Sequence, residues 1–203
     1  MRLPLPGPAA HESMMPAGGR HRISSVTANT RRGAVLITLV PSEEDTEIPL
    51  IQRTDDGGPH ALQISLPGGA AEPVDRTAVD TALREAQEEI GLESQAVTVL
   101  GMLSELYIDV SDFLITPVVA WYDGGDPERT LWPRLRRRPR EVRRIVRGSL
   151  GELDATLAHR RVYARGRELI APSFLAEEEI VWGATAMILG ELLHVVRPPG
   201  RGD

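Results

Sequence analysis

Apolar runs along the first part of the chain predict a series of β-strands. Residues 34–40 are almost entirely aliphatic or β-branched, as expected of a strand that is buried on both faces. The polar residues 41–45 read as a turn, and a second strand is predicted at 48–53, at hairpin distance. A third strand is predicted at 62–66, ending in a glycine turn at 67–69.

Further strands are predicted at residues 97–103 and 113–121. Pro117 interrupts the second of these runs, and because proline has no N–H to donate to a ladder, we expect it at a sheet edge or a bulge. Residues 134–147 carry eight Arg, and the apolar positions within 142–146 fit either a short strand or a helical turn.

The clearest helical pattern covers residues 77–90. Its apolar residues fall on one stripe, and they are Val79, Ala82, Leu83, Ala86 and Ile90. Gly91 stands where a left-handed C-terminal cap belongs. A second helix is predicted at 182–196, ending before the prolines at 198 and 199.

Strands mixed with two helices predict an α/β (α+β) fold, with a mixed sheet packed between helices in a single domain. We expect this domain at residues 31–197. Residues 1–30 mix Pro, Gly and Ser with little periodicity, which indicates a flexible or loosely docked N-terminal arm. Residues 198–203 are expected to form a C-terminal tail.

Composition removes several classes of function. The chain has 203 residues and 22.2 kDa with Cys 0, which excludes thiolate metal sites and cysteine nucleophiles. A net charge of -6 argues against nucleic acid and membrane surfaces as partners, although all 23 basic residues are Arg. The longest apolar stretch, 180–196, is interrupted by Glu191 and is too short to span a bilayer. We expect a cytoplasmic protein whose partner is a small molecule.

Three carboxylates share one side of the predicted helix, because Glu85, Glu88 and Glu89 are spaced three and four residues apart. They repel one another unless a positive charge compensates, and Mg²⁺ or Mn²⁺ takes oxygen ligands of this kind. The alternative is a solvated face in which Arg84 pairs with Glu88. The glycine turn at 67–69 favours the metal site, because backbone without side chains can approach a phosphate or a metal closely.

This region resembles the signature of the Nudix hydrolases: Gly, five residues, Glu, seven residues, then Arg-Glu-aliphatic-any-Glu-Glu-any-Gly-aliphatic. Residues 84–92, Arg-Glu-Ala-Gln-Glu-Glu-Ile-Gly-Leu, match its second half. In the first half Gly69 matches, but Asp75 replaces Glu and lies one residue further from Arg84 than the signature has it.

The longer spacing is similar to that of the coenzyme A pyrophosphatase branch of the family. Residues 60–69 resemble that branch's glycine element, except for Leu62 in place of Gly and Leu66 in place of Phe. Residues 106–111, 116–119 and 181–186 are also similar to segments of the branch.

The resemblance implies metal-dependent hydrolysis of a pyrophosphate that links a nucleoside to another group. It implies Glu85 and Glu89 as principal ligands of Mg²⁺ or Mn²⁺, with Glu88 as a further ligand or as the group that polarises water. Arg84 would orient a carboxylate, and the Gly69 carbonyl would complete the metal shell. Two further residues, Arg53 and Gly68, are candidates for contact with substrate phosphate; the alternative for Arg53 is an exposed strand residue without a substrate role.

Several alternatives remain open at this stage. The general base can instead come from residues 177–179, whose acidic character also suits a charged helix entry. Residues 134–147 are interpreted as a solvated insertion, with a phosphate-binding or nucleic-acid role as the alternative. Other substrates would be ADP-ribose, NADH or modified nucleoside triphosphates, and a Nudix fold can also bind a nucleotide without cleaving it. A homodimer is compatible with all of these functions.

Overall fold

The protein's structure, a computed structural model, describes residues 5–16, 26–55, 57, 61–164 and 166–197. Its strands are β1 (Arg31–Pro41), β2 (Thr46–Arg53), β3 (Ile64–Ser65), β4 (Gly68–Ala70), β5 (Val97–Met102), β6 (Leu106–Ile108), β7 (Phe113–Tyr122), β8 (Val142–Ser149), β9 (Ala158–Ala164), β10 (Arg167–Ala176) and β11 (Glu179–Trp182). Its α-helices are α1 (Pro8–Ser13), α2 (Ala78–Ile90), α3 (Pro127–Thr130), α4 (Leu150–Ala155) and α5 (Gly183–Val196). The predicted tail and His60 of the glycine element lie outside the described residues.

A mixed sheet forms the centre of the protein, with the strand order β3-β2-β1-β7-β5. Strands β1 and β7 run parallel, from the pair Arg31 and Phe113 to the pair Leu39 and Trp121. The other pairs in this sheet are antiparallel: β4 adds to β1, β6 to β7, and β8 to β2. Strands β9, β10 and β11 form a separate antiparallel sheet.

Helices cover the two faces of the central sheet, so the predicted fold class is confirmed. Residues of β1 alternate between two cores: Leu36 and Val40 pack in the core that includes α2, whereas Ile37 and Leu39 pack in the core that includes α5. Because α2 lies against β1 and β4, its carboxylates are held beside the sheet edge that β4 forms. No helix in the described part of the chain is long and apolar enough to cross a membrane.

Local sequence signals account for the bounds of α2. Thr77 and Asp80 form a reciprocal capping box at its start, and Gly91 ends it in a left-handed conformation at φ 70°. The helix predicted at 77–90 is therefore confirmed.

Within the predicted N-terminal arm, α1 packs on α5 around a buried carboxylate. Glu191 accepts hydrogen bonds from the Gly7 and Ser104 amides and pairs with His11 at 2.8 Å. Burial by itself raises the pKa of Glu191, but the hydrogen bonds from His11 and Ser104 outweigh it and leave this pKa below its usual value. These contacts join the two ends of the described chain.

Two local predictions for residues 62–69 were wrong. The third strand is limited to Ile64–Ser65, and Leu62 adopts a left-handed φ of 61° instead of an extended conformation. The segment expected as a glycine turn instead continues as strand β4, because β1 supplies a partner at Ala34 and Val35. The positions of the glycines at 68 and 69 are thus set by their pairing with β1.

Pro117 lies inside the sheet and not at its edge, but next to an irregularity: from Met102 opposite Val118 to Leu106 opposite Ile115 the register shifts by one residue. Its carbonyl accepts a hydrogen bond from the Leu103 amide, which falls in the gap between β5 and β6. The proline nitrogen faces the same gap, so no ladder bond is lost at this position. A proline is tolerated here because its neighbouring strand is discontinuous.

Candidate active site

Two carboxylates of α2 are packed against the backbone of β4. The Gly68 amide donates a 2.9 Å hydrogen bond to Oε2 of Glu89, whose side chain is buried. A Cβ on Gly69 would lie 2.5 Å from Oε1 of Glu85. The glycine at 69 therefore leaves space that the Glu85 carboxylate occupies, and any other residue would displace it.

Arg84 anchors the loop before α2 and the helix to each other. Its guanidinium makes two hydrogen bonds to Asp75, at 3.0 and 2.9 Å, and one to the Ala70 carbonyl at 3.0 Å. The charged hydrogen bond from Arg84 lowers the pKa of Asp75 to about 2, and the same bond raises the pKa of Arg84. Arg84 also contacts Glu85 at 3.0 Å. Asp75, the departure from the family signature, thus makes a bidentate pair with Arg84 across the longer spacing.

Burial raises the pKa of both inward carboxylates. Desolvation is the largest cause for Glu89, whose pKa rises to about 7, and the charges of Glu85 and Glu141 raise it further. Arg53 and the Gly68 amide oppose this rise. Desolvation also raises the pKa of Glu85, against the effect of Arg84. A bound cation would stabilise the ionised form of both carboxylates, which burial and their mutual repulsion disfavour.

Glu88 points outward and is held by arginines. Its side chain is 42% exposed, and its two oxygens contact Arg84 at 3.4 Å and Arg138 at 3.1 Å. Arg138 comes from the segment 134–147, which was interpreted as a solvated insertion. The arginines of residues 134–140 are exposed, as that interpretation expected, but the segment is not a detached insertion. The amides of Arg136 and Arg138 bond to the last carbonyls of α2, those of Ile90 and Glu89, at 2.8 Å each. Helix ends need such partners, and basic residues suit the negative end.

Glu141 is a residue near the cluster that sequence reasoning missed. It precedes β8, its carbonyl accepts from the Thr54 amide, and its carboxylate pairs with Arg138 at 3.4 Å. Its charge contributes to the raised pKa of Glu85 and Glu89. No signal in the sequence pointed to it, because it lies more than fifty residues from the helix and is brought back by the pairing of β8 with β2.

The donor set fits a hard divalent cation in its chemistry, since Glu85, Glu89 and the Gly69 backbone supply oxygen. Among the described residues, no three acidic or histidine side chains already converge on one point. Arg84 and Arg138 hold carboxylates of the cluster instead. Metal binding at Glu88 would therefore require that carboxylate to exchange Arg138 for the ion.

Arg53 is placed within electrostatic reach of Glu89, near the end of β2. By contrast, Glu177 and Glu179 are engaged by Arg144, at 2.8 Å each, and Glu177 also accepts from the Arg147 amide. Glu177 and Glu178 form the turn between β10 and β11 with φ of 47° and 69°. These acidic residues hold a hairpin turn against β8, which argues against their use as a general base.

Comparison with known proteins identifies a family. The profile of the NUDIX domain matches residues 30–166. The Nudix hydrolase NudL of Photorhabdus laumondii is 32% identical over 171 residues, covering 83% of this chain and 87% of that protein. The NudL protein of Salmonella heidelberg is 37% identical over 175 residues, covering 85% and 86%.

Solved structures show the same fold at low sequence identity. The Nudix hydrolase RenU of M. smegmatis has a TM-score of 0.53 and 17% identity, covering 90% of this chain and 93% of that one. A MutT/nudix family protein from Enterococcus faecalis has a TM-score of 0.53 and 16% identity, covering 84% and 63%.

Substitution of the glycines should separate activity from stability. In Gly69→Ala the new methyl group displaces the Glu85 carboxylate, which is the flexible end of a side chain, so we expect hydrolysis to fall at least about tenfold while stability changes by about 1 kcal/mol or less. In Gly68→Ala the methyl group meets the backbone of Ala34 and Val35, at 2.4 and 2.6 Å, so stability itself should fall by about 2 kcal/mol or more.

Urea unfolding and steady-state rates measure the two effects. Gly101→Ala is the matched control, because nothing lies within 4 Å of a Cβ at that strand position. Full activity in Gly69→Ala would show that the position of the Glu85 carboxylate is unimportant.

The stability of the metal-free protein should fall as the pH rises. The pKa of Glu89 is about 7 in the folded protein against 4.5 as a reference, so the folded state holds this proton more tightly than the unfolded chain. The free energy of unfolding then decreases between these two values and levels off above the higher one, by at most about 3 kcal/mol. Glu85 contributes in the same direction.

Urea titrations in chelator at pH 5 and pH 8 measure this decrease. Most of it should disappear in Glu89→Gln and persist in Glu93→Gln, which alters an exposed glutamate just beyond the same helix. An equal pH dependence in Glu89→Gln would rule out the buried carboxylate as its source.

Proposed function

This chain belongs to the Nudix hydrolase family, and we propose that it hydrolyses the pyrophosphate bond of coenzyme A. Nudix hydrolases cleave phosphorus anhydrides in small nucleotide-linked substrates, and they generally use divalent metal ions such as Mg²⁺. The proposal narrows this general activity to one substrate and assigns the residues that carry it.

The observation that carries the proposal is the packing of two carboxylates against glycine backbone. Glu85 and Glu89 lie beside β4, one against the space at Gly69 and the other bonded to the Gly68 amide. Such a site would bind Mg²⁺ or Mn²⁺ through oxygen, and the ion would supply positive charge beside the phosphoryl oxygens and make water a better nucleophile. Glu85, Glu89 and the Gly69 carbonyl would hold it.

The remaining residues of the site have roles that follow from their contacts. Arg84 fixes the orientation of Glu85 by bonding it while it is itself fixed by Asp75. Glu88 is the outermost of the three helix carboxylates, so it is placed either to bind the ion as a further ligand or to polarise the attacking water. Arg53 and the backbone of Gly68 would contact the phosphates of the substrate.

The choice of coenzyme A rests on the sequence around this site. The spacing between Asp75 and Arg84 and the segments at 60–69, 106–111 and 181–186 resemble the coenzyme A pyrophosphatase branch. The segment at 106–111 includes β6, which extends the same sheet beyond β7. The matches to the NudL relatives span 83% and 85% of this chain, so they include the segment at 106–111.

The products of hydrolysis distinguish this substrate from others. With Mg²⁺ or Mn²⁺, coenzyme A should yield 4′-phosphopantetheine and adenosine 3′,5′-bisphosphate, because water attacks within the pyrophosphate. Mass spectrometry of the products measures this outcome. Glu85→Gln is the control for contaminating activity, and its kcat should be at least about a hundredfold lower because one charged ligand is lost.

Other substrates are tested in the same panel at equal enzyme concentration. Coenzyme A left intact, with ADP-ribose, NADH or a nucleoside triphosphate cleaved, would contradict the proposed substrate and leave the Nudix chemistry in place. Free pantetheine as a product would contradict attack at the pyrophosphate.

A further inference from the structure

Arg138 occupies a position that the family signature does not assign. It comes from the segment between α3 and β8, and its guanidinium contacts Glu88 at 3.1 Å and Glu141 at 3.4 Å. The side chain is 45% exposed, so it lies at the opening of the carboxylate cluster and not beneath it. From this contact set we propose that Arg138 is an exchangeable counter-ion, which neutralises Glu88 before metal binds and then binds a phosphoryl oxygen of the substrate.

The backbone around Arg138 is fixed in place by the helix that carries the cluster. Its amide donates a 2.8 Å hydrogen bond to the Glu89 carbonyl, and its carbonyl accepts bonds from the amides of Glu141 and Val142. A bond from the Arg136 amide to the Ile90 carbonyl holds the preceding residues. The main chain therefore stays beside Glu88 and Glu89 while the long side chain is free to change its partner.

Charge makes this exchange necessary. Glu88 is shared by two guanidiniums, those of Arg84 and Arg138. Arg84 is held by the buried Asp75, whereas the second carboxylate partner of Arg138 is the exposed Glu141. A divalent cation near Glu85, Glu88 and Glu89 repels the neighbouring guanidinium of Arg138 and competes with it for the Glu88 oxygen. Arg138 is thus the arginine that can leave.

Glu141 determines where the released side chain goes. Because it pairs with Arg138 three residues away, it keeps the guanidinium beside the cluster after Glu88 turns to the ion. A planar guanidinium with several donors at this place suits the oxygens of a pyrophosphate. The substrate half of this inference rests on the proposed function, whereas the metal half concerns the protein alone.

Metal binding without substrate tests the first half. Calorimetry with Mn²⁺ should give a Kd about threefold lower or more for Arg138→Gln than for the natural protein, because the competing cation is gone. Arg138→Lys keeps the charge and should restore the original Kd. Arg140→Gln is the matched control, since it removes an exposed arginine two residues away whose side chain makes no contact with the cluster. An unchanged or higher Kd in Arg138→Gln would overturn the exchange.

Binding of methylenebisphosphonate tests the second half, because this pyrophosphate analogue has a CH₂ bridge in place of the bridging oxygen and is not hydrolysed. At saturating Mg²⁺ its Kd should rise about fivefold or more in Arg138→Gln and remain unchanged in Arg140→Gln. An unchanged Kd in Arg138→Gln would limit Arg138 to the metal-free protein and overturn its substrate role.

Neither measurement uses coenzyme A. Failure of the proposed substrate and failure of this inference are therefore separate results. Circular dichroism confirms folding of each variant, and the exposed guanidinium can be replaced without opening a cavity.

Discussion

The close approach of α2 to β4 is the constraint on which the site depends. A helix carries carboxylates this near to a sheet only where the strand has no side chain in the way, and Gly69 provides that space. The antiparallel pairing of β4 with β1 then fixes the register of the glycines in the sheet. The same contact desolvates Glu85 and Glu89, which raises the pKa of both. Geometry and electrostatics of the site therefore have one origin.

Arginine balances the acidic charge in two different ways. Arg84 is a permanent partner, because Asp75 and the Ala70 carbonyl hold it on the opposite side. Arg138 is a peripheral partner, held by exposed carboxylates only. Breaking a buried pair such as Arg84 and Asp75 costs much free energy, whereas an exposed pair such as Arg138 and Glu88 is weak and responds to a competing ion. The division between a fixed and a replaceable arginine follows from their burial.

The sequence predicted the parts of this arrangement that are local. The bounds of α2 follow from Thr77 and Gly91, which act within a few residues, and the carboxylate spacing follows from helical geometry. Strand β4 was missed, because its formation depends on a partner more than thirty residues away in β1. Arg138 and Glu141 were missed for the same reason: only the pairing of β8 with β2 returns them to the helix. Long-range pairing leaves no signal in the composition of the segment that it places.

We propose Glu85 and Glu89, packed on β4, as the ligands of the catalytic cation. Anomalous diffraction from a crystal soaked in Mn²⁺ tests this directly, because it locates the ion without reference to any substrate. We expect a peak within coordinating distance of both carboxylates and of the Gly69 carbonyl, at about 2.0–2.6 Å from their oxygens. A saturating soak that places Mn²⁺ elsewhere, or that shows no peak beside these carboxylates, would contradict this assignment.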